Sequence, residues 1–131
     1  MKVLLQTLLV GTGGFLGANL RYWLGGWIQG RLDEGFPWHT FFINVTGSFV
    51  ISLFLGLSTA LNWHPNWRLF LAIGILGGYT TFSSFSWEAL ALMTGKLYGQ
   101  ALGYVLGSVI LSIIGAWLGL LLAGRILGPQ S

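Results

Sequence analysis

Cysteine is absent from this chain of 131 residues, and charge is nearly so, with three Asp plus Glu against six Lys plus Arg. Without thiols there is no disulfide, no thiolate nucleophile and no zinc–thiolate site. Charged residues make up 7% of the sequence while hydrophobic residues make up 54%, far from the roughly 25% charged content of a soluble domain. With a mean hydropathy of +0.76, this is the composition of an integral membrane protein. The pI of 9.7 rests on only six basic residues, too few for a nucleic-acid footprint. Uncharged runs extend over Val3–Leu20, Gly35–Trp67, Leu69–Trp87 and Leu97–Gly124. Each supplies the roughly 20 residues a helix needs to cross a bilayer. Four spans use nearly the whole chain, residues 1–131 forming one expected transmembrane domain, with no room left for a soluble enzyme or a nucleotide site. The expected fold class is therefore an all-α membrane protein.

The first span, Val3–Ile28, carries Gly11, Gly14, Gly17 and Ala18 at spacings that let helix backbones approach. A cleaved signal peptide is not expected, since only Lys2 precedes the apolar run and no small-residue cleavage pattern closes it. Arg21 has two fates open to it: to snorkel among Trp23 and Trp27, the commoner one, or to face a watery vestibule. The connection Gln29–Pro37 reads as a short exposed loop. In the second span, Trp38–Leu61, Asn44, Ser48, Ser52 and Gly56 share one helix face. That face is either a small-residue packing seam or the wall of a functional path. His39 and His64 stand beside tryptophans at opposite ends of this span, which argues against metal ligation.

The third span holds the most unusual stretch, GILGGYTTFSSFSWE from Gly74 to Glu88. Gly77 and Gly78 favour unwinding, and Tyr79, Thr80, Thr81, Ser83, Ser84 and Ser86 bring hydroxyls to membrane depth, where an unsatisfied polar group costs several kcal/mol. One reading is a kinked helix whose hydroxyls bond back to the i−4 carbonyls. The other is a helix broken at an ion site. In the fourth span, Leu97–Leu127, Gly103 with Gly107 and Gly115 with Gly119 form small-residue pairs, while Tyr104, Ser108 and Ser112 stack three hydroxyls on one face.

The loop charges carry no orientation signal. With the N-terminus in the cytoplasm, Lys2, Arg68 and Arg125 lie on that side against Arg31 and Lys96, joined by Arg21 if it snorkels outward. A chain with so little bias inserts either way, and two opposed copies can pair as inverted repeats do within one chain.

Three stretches resemble the fluoride channel family, the small dual-topology membrane channels called Fluc or CrcB proteins. They are GGFLGANLRY (Gly13–Tyr22), TFFINVTGSF (Thr40–Phe49) and GGYTTFSSFSWE (Gly77–Glu88). His39 stands where that family often has glycine, Tyr79 where phenylalanine is frequent, and Ser84 where threonine is frequent. The resemblance implies four helices with a break in the third, an antiparallel homodimer in a bacterial inner membrane, and two pores that export fluoride passively. It implies pore linings from Asn44, Phe82, Phe85, Ser108 and Ser112, and a structural sodium ion held by the carbonyls of Gly77 and Thr80. Tyr104 falls in register with the two serines and is counted with the pore. Arg21, Thr81, Ser84 and Glu88 are candidates for a vestibule or polar track. The rival of similar size, a proton-coupled small multidrug transporter, needs an acidic residue deep in the first span, and Val3–Ile28 has none.

Overall fold

The computed structural model describes residues 1–128. The tail Pro129–Ser131, in which we read no targeting signal, lies outside them. The described elements are helical: α1 (Lys2–Gln29), α2 (Trp38–Ala60), α3 (Pro65–Trp67), a π-helical stretch (Arg68–Leu76), α4 (Gly77–Tyr79), α5 (Phe82–Thr94) and α6 (Tyr98–Leu127). Residues 65–94 together form one bent span, so that four spans of 28, 23, 30 and 30 residues are each long and apolar enough to cross a membrane. Their outer faces carry exposed Leu4, Phe15, Trp23, Ile113, Trp117 and Leu121, the side chains that hydrocarbon solvates.

In lipid, apolar surface alone does not drive helices together, so close backbone packing has to. α1 lies along the π-helical stretch and α4, and α2 lies along α6. Glycine makes the first contact possible: a Cβ on Gly74 would sit 2.8 Å from Gly13 Cα, and one on Gly78 would sit 2.7 Å from the Gly14 carbonyl oxygen. In the second contact a Cβ on Gly115 would lie 3.2 Å from the Val45 carbonyl oxygen, whereas Gly103 faces open space. Of the first small-residue pair on α6, Gly103 therefore makes no seam, while Gly107 lies against the Phe41 ring of α2. Gly74→Ala is expected to push α1 away and destabilise the protein by about 1–3 kcal/mol, the usual cost of overpacking. Gly11→Ala, with nothing within 4 Å of the added carbon, should melt no lower than wild type, and slightly higher as the helical cost of glycine is removed, when thermal unfolding is followed in detergent.

The helix break differs from its expected position. Gly77 is helical, with φ −64° and ψ −36°, and Gly78 uses its missing side chain to meet α1. The chain leaves the helix at Thr80 (φ −78°, ψ 157°) and Thr81 (φ −151°, ψ 118°). Extended geometry suits β-branched residues, and the helical cost of glycine, about 1 kcal/mol, is offset here by interhelical contact.

Candidate functional site

A broken helix inside a bilayer exposes peptide groups, and Asn44 of α2 meets them. Its Nδ2 donates to the Thr81 carbonyl at 3.0 Å, and its Oδ1 accepts from the Thr81 N–H at 2.8 Å. The amide thus pairs with Thr81 in both directions, as a neighbouring strand would. Thr81 in turn caps α5: its Oγ1 accepts from the Ser84 N–H at 3.2 Å and donates to Ser84 Oγ at 3.1 Å. Two consequences follow for the carbonyls upstream. The Thr81 N–H that would serve the Gly77 carbonyl in a continuous helix goes to Asn44, and the Ser84 N–H that would serve Thr80 goes to Thr81.

Beside the break lies a groove of about 310 Å³ lined by α2 (Asn44, Gly47, Ser48, Ile51), the residues at the break (Leu76, Thr80, Thr81, Phe82, Phe85) and α6 (Ser108, Val109, Ser112). It brings together Asn44, Phe82, Phe85, Ser108 and Ser112, with Thr80 and Thr81 beside them. No Lys, Arg, Asp or Glu lines it among the described residues. The rings of Phe82 and Phe85 lie 5.4 Å apart at 41°. Phe85 is buried, while Phe82 is 77% exposed.

The hydroxyls divide into two groups. Those of Ser48, Thr80 and Ser86 bond back to the carbonyls of Asn44, Leu76 and Phe82, at 2.7, 2.9 and 2.9 Å. Ser108 does not: its Oγ is buried without a hydrogen-bond partner among the described residues. Ser112 is half-buried one turn further along α6.

Tyr104 stands behind this wall. Fully buried, it packs its ring 5.2 Å from that of Phe85 and donates its hydroxyl to Glu88 Oε2 at 2.6 Å. Glu88 Oε1 accepts from Thr40 Oγ1 at 2.9 Å and faces His39 Nε2 at 3.0 Å. Sequence reasoning placed Glu88 but missed His39 and Thr40 beside it; the signal available was that the start of α2 and the later turns of α5 belong to the same membrane face. Arg21 does not snorkel. Half-buried, it turns inward and its Nη1 donates to the Thr80 carbonyl at 3.2 Å, while Trp27 receives Arg31, whose guanidinium lies 4.2 Å from the ring centre. The carbonyl opened by the break gives Arg21 a half-buried acceptor that the sequence did not reveal.

Comparison with known proteins adds a family. The one described as CrcB-like protein, Camphor Resistance (CrcB), matches residues 8–120. A fluoride-specific ion channel FluC of Thermus thermophilus is 53% identical over 121 residues, covering 92% of this chain and 95% of the relative. The protein of the same description from Acidobacterium capsulatum is 43% identical over 124 residues, covering 94% and 99%. Fluoride-specific ion channel FluC 1 of Listeria innocua is 41% identical over 120 residues, covering 92% and 98%.

Proposed function

The chain belongs to the CrcB-like family, and from that premise we propose that it is a fluoride-selective passive channel that releases the ion from the cytoplasm across a bacterial inner membrane. The observation that carries this reading is the Ser108 hydroxyl, buried without a partner in the groove. Buried polar groups are almost always satisfied, so an orphaned donor in a channel wall suits a ligand that accepts.

Fluoride is compact and strongly hydrated, and a pore must replace its water with several donors. Ser108 and Ser112 supply hydroxyls. Asn44 has a second amide N–H beyond the one given to Thr81. Phe82 and Phe85 offer ring edges, which carry partial positive charge. The N-terminus of α5, where the helix dipole is positive, opens at the same groove through Thr81 and Phe82. None of these is a full cation, and several weak donors permit both capture and release. The driving force is electrochemical, about 2.3 kcal/mol per charge per 100 mV, and on an inside-negative membrane it favours anion exit.

The groove's open side and the 77% exposure of Phe82 favour completion by a second copy. With the balanced loop charges, an antiparallel homodimer with two pores is the arrangement we propose. The carbonyls of Gly77 and Thr80 suit a sodium ion on its axis: both have lost their helical donors, Gly77 is exposed and Thr80 half-buried, and such oxygens are hard ligands. Arg21 occupies one side of the Thr80 oxygen, and a carbonyl has a second lone pair. When bound, the ion would supply a fixed positive charge that holds the two breaks together.

In liposomes containing only the purified protein, a potassium ionophore that carries the compensating charge should allow fluoride to leave rapidly and chloride negligibly, with or without a proton gradient. Comparable chloride release would overturn fluoride selectivity. Strict dependence on the proton gradient would point to a coupled transporter instead.

A further inference from the structure

The residues of the break are seated on one turn of α2, where Asn44 and Thr46 stand on either side of Gly47. Asn44 pairs with Thr81 on one flank. On the other flank Thr46 Oγ1 lies 2.9 Å from the Tyr79 hydroxyl. The Thr46 hydroxyl already donates to the Phe42 carbonyl at 2.6 Å, so the phenol is the donor to it. Thr80 comes down between these two anchors. A Cβ built on Gly47 would sit 2.3 Å from Thr80 Cγ2 and 3.2 Å from Cδ1 of the Tyr79 ring, so the break approaches α2 more closely than any side chain at position 47 allows.

Gly47 and Thr80 both line the groove. How deeply Thr80 settles on α2 therefore sets the spacing of two of its walls. Fluoride and chloride carry the same charge, and a path tells them apart by its width and the placement of its donors. Two bonds make the contact at Gly47 a fixed stop. Thr80 does not turn its methyl aside, because its Oγ1 is committed to the Leu76 carbonyl at 2.9 Å. The break does not slide along α2, because Tyr79 and Thr81 are both tied to it.

We propose that Gly47 sets the anion selectivity of the groove by positioning Thr80, holding the walls close enough to grip fluoride and to shut out chloride. The proposal rests on the fluoride-conduction reading above. A methyl group added at position 47 pushes the break outward, by about 1 Å if the two carbons are to regain an ordinary separation of about 3.5 Å.

The test is release of fluoride and of chloride, measured in parallel from liposomes that hold the purified protein and a potassium ionophore. Gly47→Ala should let chloride out measurably, a loss of the selectivity expected of wild type. Gly47→Ala with Thr80→Ser moves one methyl group from one side of the contact to the other and keeps the hydroxyl that bonds to Leu76, so it should hold chloride back again. Gly56→Ala is the control. Its added carbon would sit 2.7 Å from Ala123 Cβ, on the same helix but outside the groove, so this variant should melt lower and stay selective. Each variant is first required to elute as wild type on size exclusion. Where Gly47→Ala does not, Tyr79→Phe is added to it; this frees the ring from Thr46 but leaves the clash with Thr80, and chloride release is expected as before. Folded Gly47→Ala protein that still excludes chloride, chloride release by Gly56→Ala, or failure of Thr80→Ser to restore selectivity overturns the proposal. Chloride release from wild type comparable with its fluoride release would overturn the conduction reading instead.

Discussion

Asn44→Ala is expected to abolish fluoride flux and to lower stability by about 2–6 kcal/mol. The substitution removes both partners of Thr81 at once, the donor to its carbonyl at 3.0 Å and the acceptor of its N–H at 2.8 Å, and each unsatisfied buried group costs about 1–3 kcal/mol. No helical neighbour can take them over, because the chain at Thr80 and Thr81 is extended. Asn44→Asp separates the two roles of the residue. A carboxylate still accepts from the Thr81 N–H, so this variant should fold better than the alanine one and elute near wild type on size exclusion. It also puts a negative charge on the wall of the groove. At about 4 Å and an effective dielectric constant of about 20, two like charges repel by about 4 kcal/mol, or roughly three orders of magnitude in occupancy by an anion. Folded Asn44→Asp protein that conducts at wild-type rates would place the ion path away from Asn44.

Much of this architecture is legible in the sequence, because a membrane chain must build its spans from long uncharged runs; the first, second and fourth expected spans agree with the observed ones to within about two residues, while the third extends beyond its uncharged run Leu69–Trp87 to Pro65–Thr94. The break was harder to place. Glycine pairs in lipid mark either unwinding or close packing, and only the glycines of α1 decide between them: Gly78 lies against Gly14, so the break falls to the threonines that follow. The pairing of Asn44 with Thr81 joins residues 37 apart. Periodicity along α2 identified the face but not the partner. Tyr104 shows the limit of register as a guide. It shares a face with Ser108 and Ser112, yet its longer side chain reaches past the groove to Glu88. The sequence leaves both fates of Arg21 open, and the opened carbonyl of Thr80 explains its inward turn. In the hydroxyl-rich run the back-bonding of one reading and the helix break of the other are both present, since Thr80 and Ser86 bond back along the helix while Thr81 caps the helix after the break.

Phe82→Ile and Phe85→Ile should each reduce fluoride flux by about two- to ten-fold while leaving the protein folded. Both rings line the groove, but their surroundings differ, and that makes the pair informative. Phe85 is buried against Tyr104, 5.2 Å between ring centres, whereas Phe82 is 77% exposed and touches Phe85 at 5.4 Å. If packing were their only task, Phe85→Ile would cost below about 1.5 kcal/mol, as near-isosteric core changes do, and Phe82→Ile still less, with flux retained in both. A role at the ion predicts the opposite pattern, in which the exposed ring matters to flux out of proportion to its burial. An aliphatic side chain fills similar space but has no quadrupole to turn a positive edge toward an anion, an effect scaled here on that of an aromatic ring pair, about 0.5–1.5 kcal/mol. The upper part of that range corresponds to a factor of ten. Phe49, half-buried on α2 where α6 crosses it and outside the groove, is the control, and Phe49→Ile should conduct close to normally after a small loss of stability. Size exclusion alongside each flux measurement separates lost conduction from lost folding. Well-folded Phe82→Ile and Phe85→Ile proteins that both pass fluoride at wild-type rates would make the two rings packing residues, and the conducting donors would then be the hydroxyls of Ser108 and Ser112 without aromatic help.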